Sequence, residues 1–335
     1  MPAATHRPLE LSIRIQPWAL LTPFRITGHT WEAVDLLSLS LAAGEHVGRS
    51  EAAGVYYKGD TVASMERTIV SLGDRIEQGL SRVELQTLLP SGGARNALDC
   101  ALWDLEAKLT GRPAWQIAGL PEPRPLLTTF TCGADEPARM AAAARAHTGA
   151  RAIKLKLTGE PIDAERVRAV RDAMAHAWLG VDANQGFTRR SLEKLMPTLQ
   201  DAKVALIEQP FPVGQEAQLE GFASPIPIAA DESVQGLSDI PRLAGRFNVV
   251  NIKLDKCGGL TEALAMVEAA RAHGLDTMVG NMMGTSLGMA PAFLVGQLCK
   301  VVDLDGPVFL QSDRDNGVDY TDGRITCPAA LWGVA

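Results

Sequence analysis

The sequence contains no apolar run approaching the ~18 residues that a membrane-spanning helix needs, and no CxxC pair. Its opening, MPAATHRPLELSIRIQPWALL, has no basic segment followed by an apolar one, so no secretory leader is expected. The five cysteines (Cys100, Cys132, Cys257, Cys299, Cys327) are odd in number and scattered. They argue against a disulfide framework or a zinc site and fit reduced thiols in a cytoplasmic enzyme. The six histidines lie far apart, which weakens any histidine-based metal site. A net charge of −7 without a basic stripe excludes nucleic acid as a partner. What remains is 335 residues of average globular composition, 46% apolar and 21% charged. That length suits two domains, or one large barrel with attachments. A homo-oligomer is compatible with the composition but not specified by it.

The two parts of the chain read differently. Residues 1–125 open with alternating apolar segments, Leu11–Ile15 and Leu36–Leu41, which predict antiparallel strands. Helices are predicted over Thr61–Glu77, Ser81–Leu89 and Ala94–Leu109, the second with Glu84 three residues after its Ser cap. Thr110–Gly111–Arg112–Pro113 is a helix stop. This is an α+β domain, and PEPRPL is its exit linker. In residues 126–314, short apolar strands alternate with helices such as Ile162–Ala177, Arg190–Ala202 and Leu260–His273. Strands are expected to end near Thr131, Lys156, Asp182, Glu208, Asp231, Lys253, Asn281 and Asp303. Eight strands with helical crossovers predict a parallel barrel. An open doubly wound sheet is the alternative, but the first strand–helix turn lacks GxGxxG.

Charge placement is the informative feature. AIKLK, WLGVDAN, ALIEQP, IPIAADES and VVNIKLDK each end an apolar run in ionic residues, one βα unit apart. They deliver Lys154, Lys156, Asp182, Glu208, Asp231 and Lys253 to the C-terminal rim of one barrel, where such folds keep their sites. Three carboxylates converging there would repel one another unless a cation sits between them. The all-oxygen set Asp182, Glu208 and Asp231 favours Mg²⁺, or Mn²⁺, over zinc. Asn184 follows on the same side and could orient a ligand. Acids that merely cap the next helices are the bland alternative. Lys154 and Lys156 share one strand face, and adjacent like charges should lower a lysine pKa enough for general-base work. Lys253 approaches from the other side of the acidic trio, so two amines can flank one bound substrate.

These residues, in this order and spacing, resemble the muconate-lactonizing subgroup of the enolase superfamily. GGARNALDCALWDLEAKLTG in the first part looks like that family's capping domain. DLDGP after NMMGTS resembles, more narrowly, the bacterial dipeptide epimerases of the L-Ala-D/L-Glu type. The resemblance implies a (β/α)7β modified TIM barrel under an N-terminal α+β cap that residues 315–335 complete. It implies Asp182, Glu208 and Asp231 as Mg²⁺ ligands, Lys156 and Lys253 as the acid/base pair, and Lys154 beside the substrate carboxylate. Asp303 and Asp305 would hold the ammonium of a small-molecule dipeptide. Where that family carries an arginine for a glutamate side chain, this chain has His29, with Arg25 offset, while GVYYKGDT brings Tyr57. An apolar, aromatic or otherwise different second residue is therefore expected to be tolerated.

Other outcomes of the same enolate chemistry are N-acylamino acid racemization, o-succinylbenzoate synthesis and muconate cycloisomerization. Their substrates give two aspartates no ammonium to grip. A Schiff-base aldolase using Lys156 or Lys253 would leave three convergent acids unexplained.

Overall fold

The computed structural model describes residues 8–26 and 28–334; the opening segment 1–7, part of the stretch where no secretory leader is expected, lies outside them. β1 (Glu10–Ile26), β2 (His29–Ala43) and β3 (His46–Ala52) form an antiparallel sheet in that order. The β1–β2 ladder slips register between Ala19 and Phe24, a bulge that re-aims the hairpin tip. Leu37, Leu39 and Leu41 of β2 are buried against helices α1 (Val62–Val70), α2 (Gly73–Glu77), α3 (Arg82–Leu88) and α4 (Gly93–Thr110). The single helix predicted from Thr61 to Glu77 is two, broken just before Gly73, a weak helix former. Thr61 and Ser81 cap their helices as read, each repaid by the side chain three residues on, Ser64 and Glu84. Gly111 ends α4 in the left-handed conformation.

After the short α5 (Ala114–Ile117) and β4 (Leu126–Leu127), the pattern changes. β5 (Phe130–Cys132), β6 (Ala152–Lys156), β7 (Trp178–Asp182), β8 (Leu206–Glu208), β9 (Ile228–Ala230), β10 (Val249–Ile252), β11 (Asp276–Val279) and β12 (Val301–Val302) form one parallel sheet in chain order. The Thr129 amide donates to the Val302 carbonyl at 3.0 Å, linking the first strand to the last. All five residues of β6 are buried, as in a sheet covered on both faces. The covering helices are α6 (Pro137–Ala146), α7 (Asp163–Ala173), α8 (Arg189–Asp201), α9 (Ile240–Leu243), α10 (Leu254–Cys257), α11 (Leu260–Ala272) and α12 (Ser286–Gly296). The β8–β9 connection makes do with a 3-10 turn at Glu216–Leu219.

The two sheets are stitched through α4. Gly258 and Gly259 have positive φ, and a Cβ on either would meet Arg95 or Asp99 of α4 at 2.2 or 2.5 Å. Asp99 accepts from the Thr261 amide and from Gln86. β13 (Asp319–Thr321) pairs with β14 (Arg324–Thr326), which pairs with β4, and the tail then reaches α4. There Trp332 Nε1 donates to the Cys100 carbonyl and the Gly333 amide to Asp104. Among the described residues, no helix is long and apolar enough to cross a membrane.

Candidate active site

Parallel register brings the predicted residues together. Lys156 lies beside Asp182, and Asp182 beside Glu208, at the C-terminal ends of β6, β7 and β8. Asp231 and Lys253 follow directly on β9 and β10. One oxygen each of Asp182, Glu208 and Asp231 lies within 4.8 Å of the others, and all three side chains are buried. Lys156 Nζ donates to Asp182 at 2.5 Å from one flank, and Lys253 Nζ to Asp231 at 2.7 Å from the other. Lys154 binds Asp303 and stands 3.4 Å from Glu208 Oε2.

These residues fit a hard divalent cation. The donors are all oxygen, and Glu208 keeps one buried oxygen, Oε2, with no hydrogen bond, while Oε1 accepts from Asn251 at 2.6 Å. Burial and the neighbouring Asp182 push Glu208 up to about 7, as expected for an acid awaiting a counter-charge. Glu232, whose second oxygen is also unpartnered, rises to about 8 through burial and Asp231. Asn184, in the left-handed conformation, donates to Glu232.

One expectation is overturned. Lys154 is not lowered by its neighbour in KLK. Burial alone would lower Lys154, but Asp303, Glu208 and Asp182 hold it well above the ordinary lysine value. Lys253 is raised likewise, with Asp231 and Glu208 outweighing burial.

A cavity of about 310 Å³ opens above this floor. Lys156, Asp231 and Lys253 border it below; Phe24, Trp31, Tyr56 and Tyr57 form the far wall. Tyr57 borders the cavity, and its hydroxyl accepts from Gln235 at 3.0 Å. Arg25 and His29 are both exposed and neither borders the cavity. His29 packs on Trp31 and Tyr56, with ring centroids 4.0 and 5.3 Å apart. Asp303 and Asp305 also lie outside the cavity lining. Asp303 is taken up by Lys154 and Thr129, and Asp305 accepts from the Thr131 amide at 2.6 Å. Burial and Asp303 push Asp305 up to about 7.

Three supporting residues were not anticipated. Gln209, buried and at φ 33°, accepts from the Asp231 and Ser233 amides and donates to the Phe211 carbonyl and Ser233 hydroxyl. It fixes the spacing between Glu208 and Asp231. Lys256 Nζ is enclosed by the Asp231 carboxylate (2.5 Å), the Asp231 carbonyl and the Asn251 carbonyl. Asn251 supplies the bond to Glu208 noted above. IEQP and NIKLDK carried these residues in plain sight, but nothing local marks them as buried.

Fold and site define a class, confirmed by comparison. Residues 9–119 match the mandelate racemase/muconate lactonizing enzyme N-terminal domain, and residues 136–331 match the enolase C-terminal domain-like family. The chain belongs to this enolase-superfamily group. More particularly, it is 38% identical over 312 residues to an L-Ala-D/L-Glu epimerase of Escherichia coli, covering 92% of this chain and 97% of the relative. It is 44% identical to an N-acetyl-D-glutamate racemase of Pseudoalteromonas over 75% of this chain and 80% of that one. A crystal structure of a dipeptide epimerase from Methylococcus capsulatus, complexed with Mg and L-Arg-D-Lys, superposes with a TM-score of 0.91 at 31% identity, covering 98% of this chain and 100% of that one.

Proposed function

We propose that this chain is a Mg²⁺-dependent dipeptide epimerase that moves the α-proton of the C-terminal residue from one face to the other. The observation that carries this reading is the bracketing of three convergent acids by Lys156 on one flank and Lys253 on the other. Asp182, Glu208 and Asp231 hold Mg²⁺ (or Mn²⁺), which supplies positive charge to the substrate carboxylate as the α-carbon loses its proton. Lys154, in the same buried cluster, adds to that charge. Lys156 and Lys253 act on opposite faces, one accepting the proton and the other returning one, and exchange roles in the reverse direction. Asp303 and Asp305 grip the dipeptide's ammonium, a role supported by two buried carboxylates on alternate residues just after β12.

The same reading makes residues 126–314 a closed (β/α)7β barrel, supported by the Thr129–Val302 bond. Residues 1–125, with 315–335 returning through Trp332 and Gly333, are its cap. Five unpaired thiols fit a cytoplasmic setting. N-acylamino acid racemization is the second reading, and its substrates would give Asp303 and Asp305 no ammonium to hold. Hydrogen–deuterium exchange at the α-carbon in D₂O, followed by mass spectrometry across free and N-acetylated dipeptides, separates the two. Free dipeptides should exchange, EDTA should stop the exchange, and Mg²⁺ should restore it. Exchange in the metal-stripped protein, or N-acetyl substrates turning over as fast as free ones, contradicts the proposal.

A further inference from the structure

We infer that the epimerised residue of the substrate carries an uncharged apolar side chain, with aromatic residues favoured, and that the cavity refuses glutamate. This rests on the epimerase reading above and specifies its substrate class.

The wall facing the reactive floor is a continuous set of rings. Phe24 is tilted against Trp31 at 6.2 Å, and Tyr56 meets the edges of Trp31 at 5.0 Å and Tyr57 at 5.1 Å. Edge-to-face contacts of this kind hold rings in one arrangement. The loop beneath them is also fixed, because Asp255 accepts from the Ala53 and Gly54 amides just before Tyr56. A flat apolar side chain meets a preformed surface there and needs little reordering.

A carboxylate side chain meets the opposite. Among the described residues bordering the cavity, the cations are Lys156 and Lys253, both occupied at the floor with Asp182 and Asp231. The wall and rim contribute charge of one sign, from Asp35 and Asp60. Asp60 is already engaged in capping α4, accepting from the Gly93 amide at 2.8 Å. Lys58 is exposed and borders a neighbouring polar groove instead. A glutamate side chain would lose water, face the negative ring surfaces and two aspartates, and find no guanidinium to pair with. A lysine side chain could approach Asp35, but only at the solvent rim, where an ion pair contributes little.

The test is α-proton exchange in D₂O with the Mg²⁺-loaded protein and four dipeptides: L-Ala-L-Phe, L-Ala-L-Leu, L-Ala-L-Lys and L-Ala-L-Glu. The expected kcat/KM for the Phe and Leu dipeptides exceeds that for the Glu dipeptide by roughly 100-fold, on the scale of an unpaired charge in an apolar pocket. Glu or Lys dipeptides turned over as fast as the apolar ones overturn the inference while leaving the epimerase reading intact. Silence with all four overturns the epimerase reading and this inference with it. Tyr56→Arg, at a 40% exposed turn that tolerates substitution, places a guanidinium on the wall. It should raise the Glu-to-Leu ratio at least tenfold. An unchanged ratio means this wall does not meet the side chain.

Discussion

Lys154, Lys156, Asp182, Glu208, Asp231 and Lys253 are each at most 7% exposed, and each lies in an ion pair with an oppositely charged neighbour. Across the cavity, Trp31, Tyr56 and Tyr57 are at least partly exposed and are held chiefly by ring contacts with one another, Phe24 and His29. Floor and wall thus answer to different physics. On the floor every charge depends on an opposite one, so a single deletion leaves a buried charge unpaired, typically worth 3–5 kcal/mol. On the wall a substitution alters ring contacts of about 0.5–1.5 kcal/mol each. A buried floor of paired charges thus faces a more exposed wall of rings.

That contrast can be broken at several depths. The largest effect should come from Glu208→Gln, which keeps an oxygen to accept from Asn251 but removes a ligand charge. Titration calorimetry with Mn²⁺ should show binding lost, and exchange should fall by at least about 1000-fold, while the melting temperature stays near that of the parent because Lys154, unlike the other floor cations, keeps a second carboxylate partner in Asp303. Retained Mn²⁺ affinity would remove Glu208 from the metal site. Gln209→Ala should come next, because it strands the Asp231 and Ser233 amides at about 1–3 kcal/mol per buried donor. Urea unfolding should register the loss of stability, and Mn²⁺ affinity should fall with it. If affinity holds while stability drops, Gln209 is scaffolding and does not set the ligand spacing.

Tyr57→Phe tests the wall. Losing the Gln235 bond should cost about 1 kcal/mol and change kcat/KM less than tenfold, with Mn²⁺ affinity untouched. A collapse of metal binding would show that wall and floor are not separable. The smallest effect lies remote from both. Burial raises Asp99 from the usual 3.8 to about 6. The folded protein therefore keeps a proton that the unfolded chain releases, so this contribution is present below about pH 4 and is lost as pH rises through 6. Thermal melts of Asp99→Asn at pH 4.5 and 7 should show a smaller fall in stability over that interval than the parent. An unchanged slope would assign it to other groups.

The floor was legible in the sequence because strands of a parallel sheet are short and apolar, so a charge that ends each run stands out. KLK, VDAN, IEQP and ADES needed only their spacing to be placed on one rim. Lys253 followed from NIKLDK in the same way. Gln209, Asn251 and Lys256 sit in those same motifs but were missed, since their partners come from neighbouring strands and no local period marks a polar side chain as buried. β3 escaped for a related reason: HVGRSEA reads as polar, yet Glu51 is buried by Thr285 and Arg314, more than two hundred residues away. Arg25 and His29 lie outside the cavity lining on a hairpin whose register slips between Ala19 and Phe24, and a register slip leaves no trace in composition.

The most direct test of the two-base account is exchange at the α-carbon in Lys156→Ala and Lys253→Ala, followed separately for each diastereomer of one dipeptide in D₂O. Each variant should lose epimerization, by the roughly 10²–10⁴-fold typical of a lost acid/base group. Each should still exchange the α-proton of the one diastereomer that faces the surviving lysine, and the two variants should show opposite preferences. If either variant interconverts the diastereomers at near the parental rate, or both exchange the same diastereomer, the assignment of Lys156 and Lys253 to opposite faces is wrong.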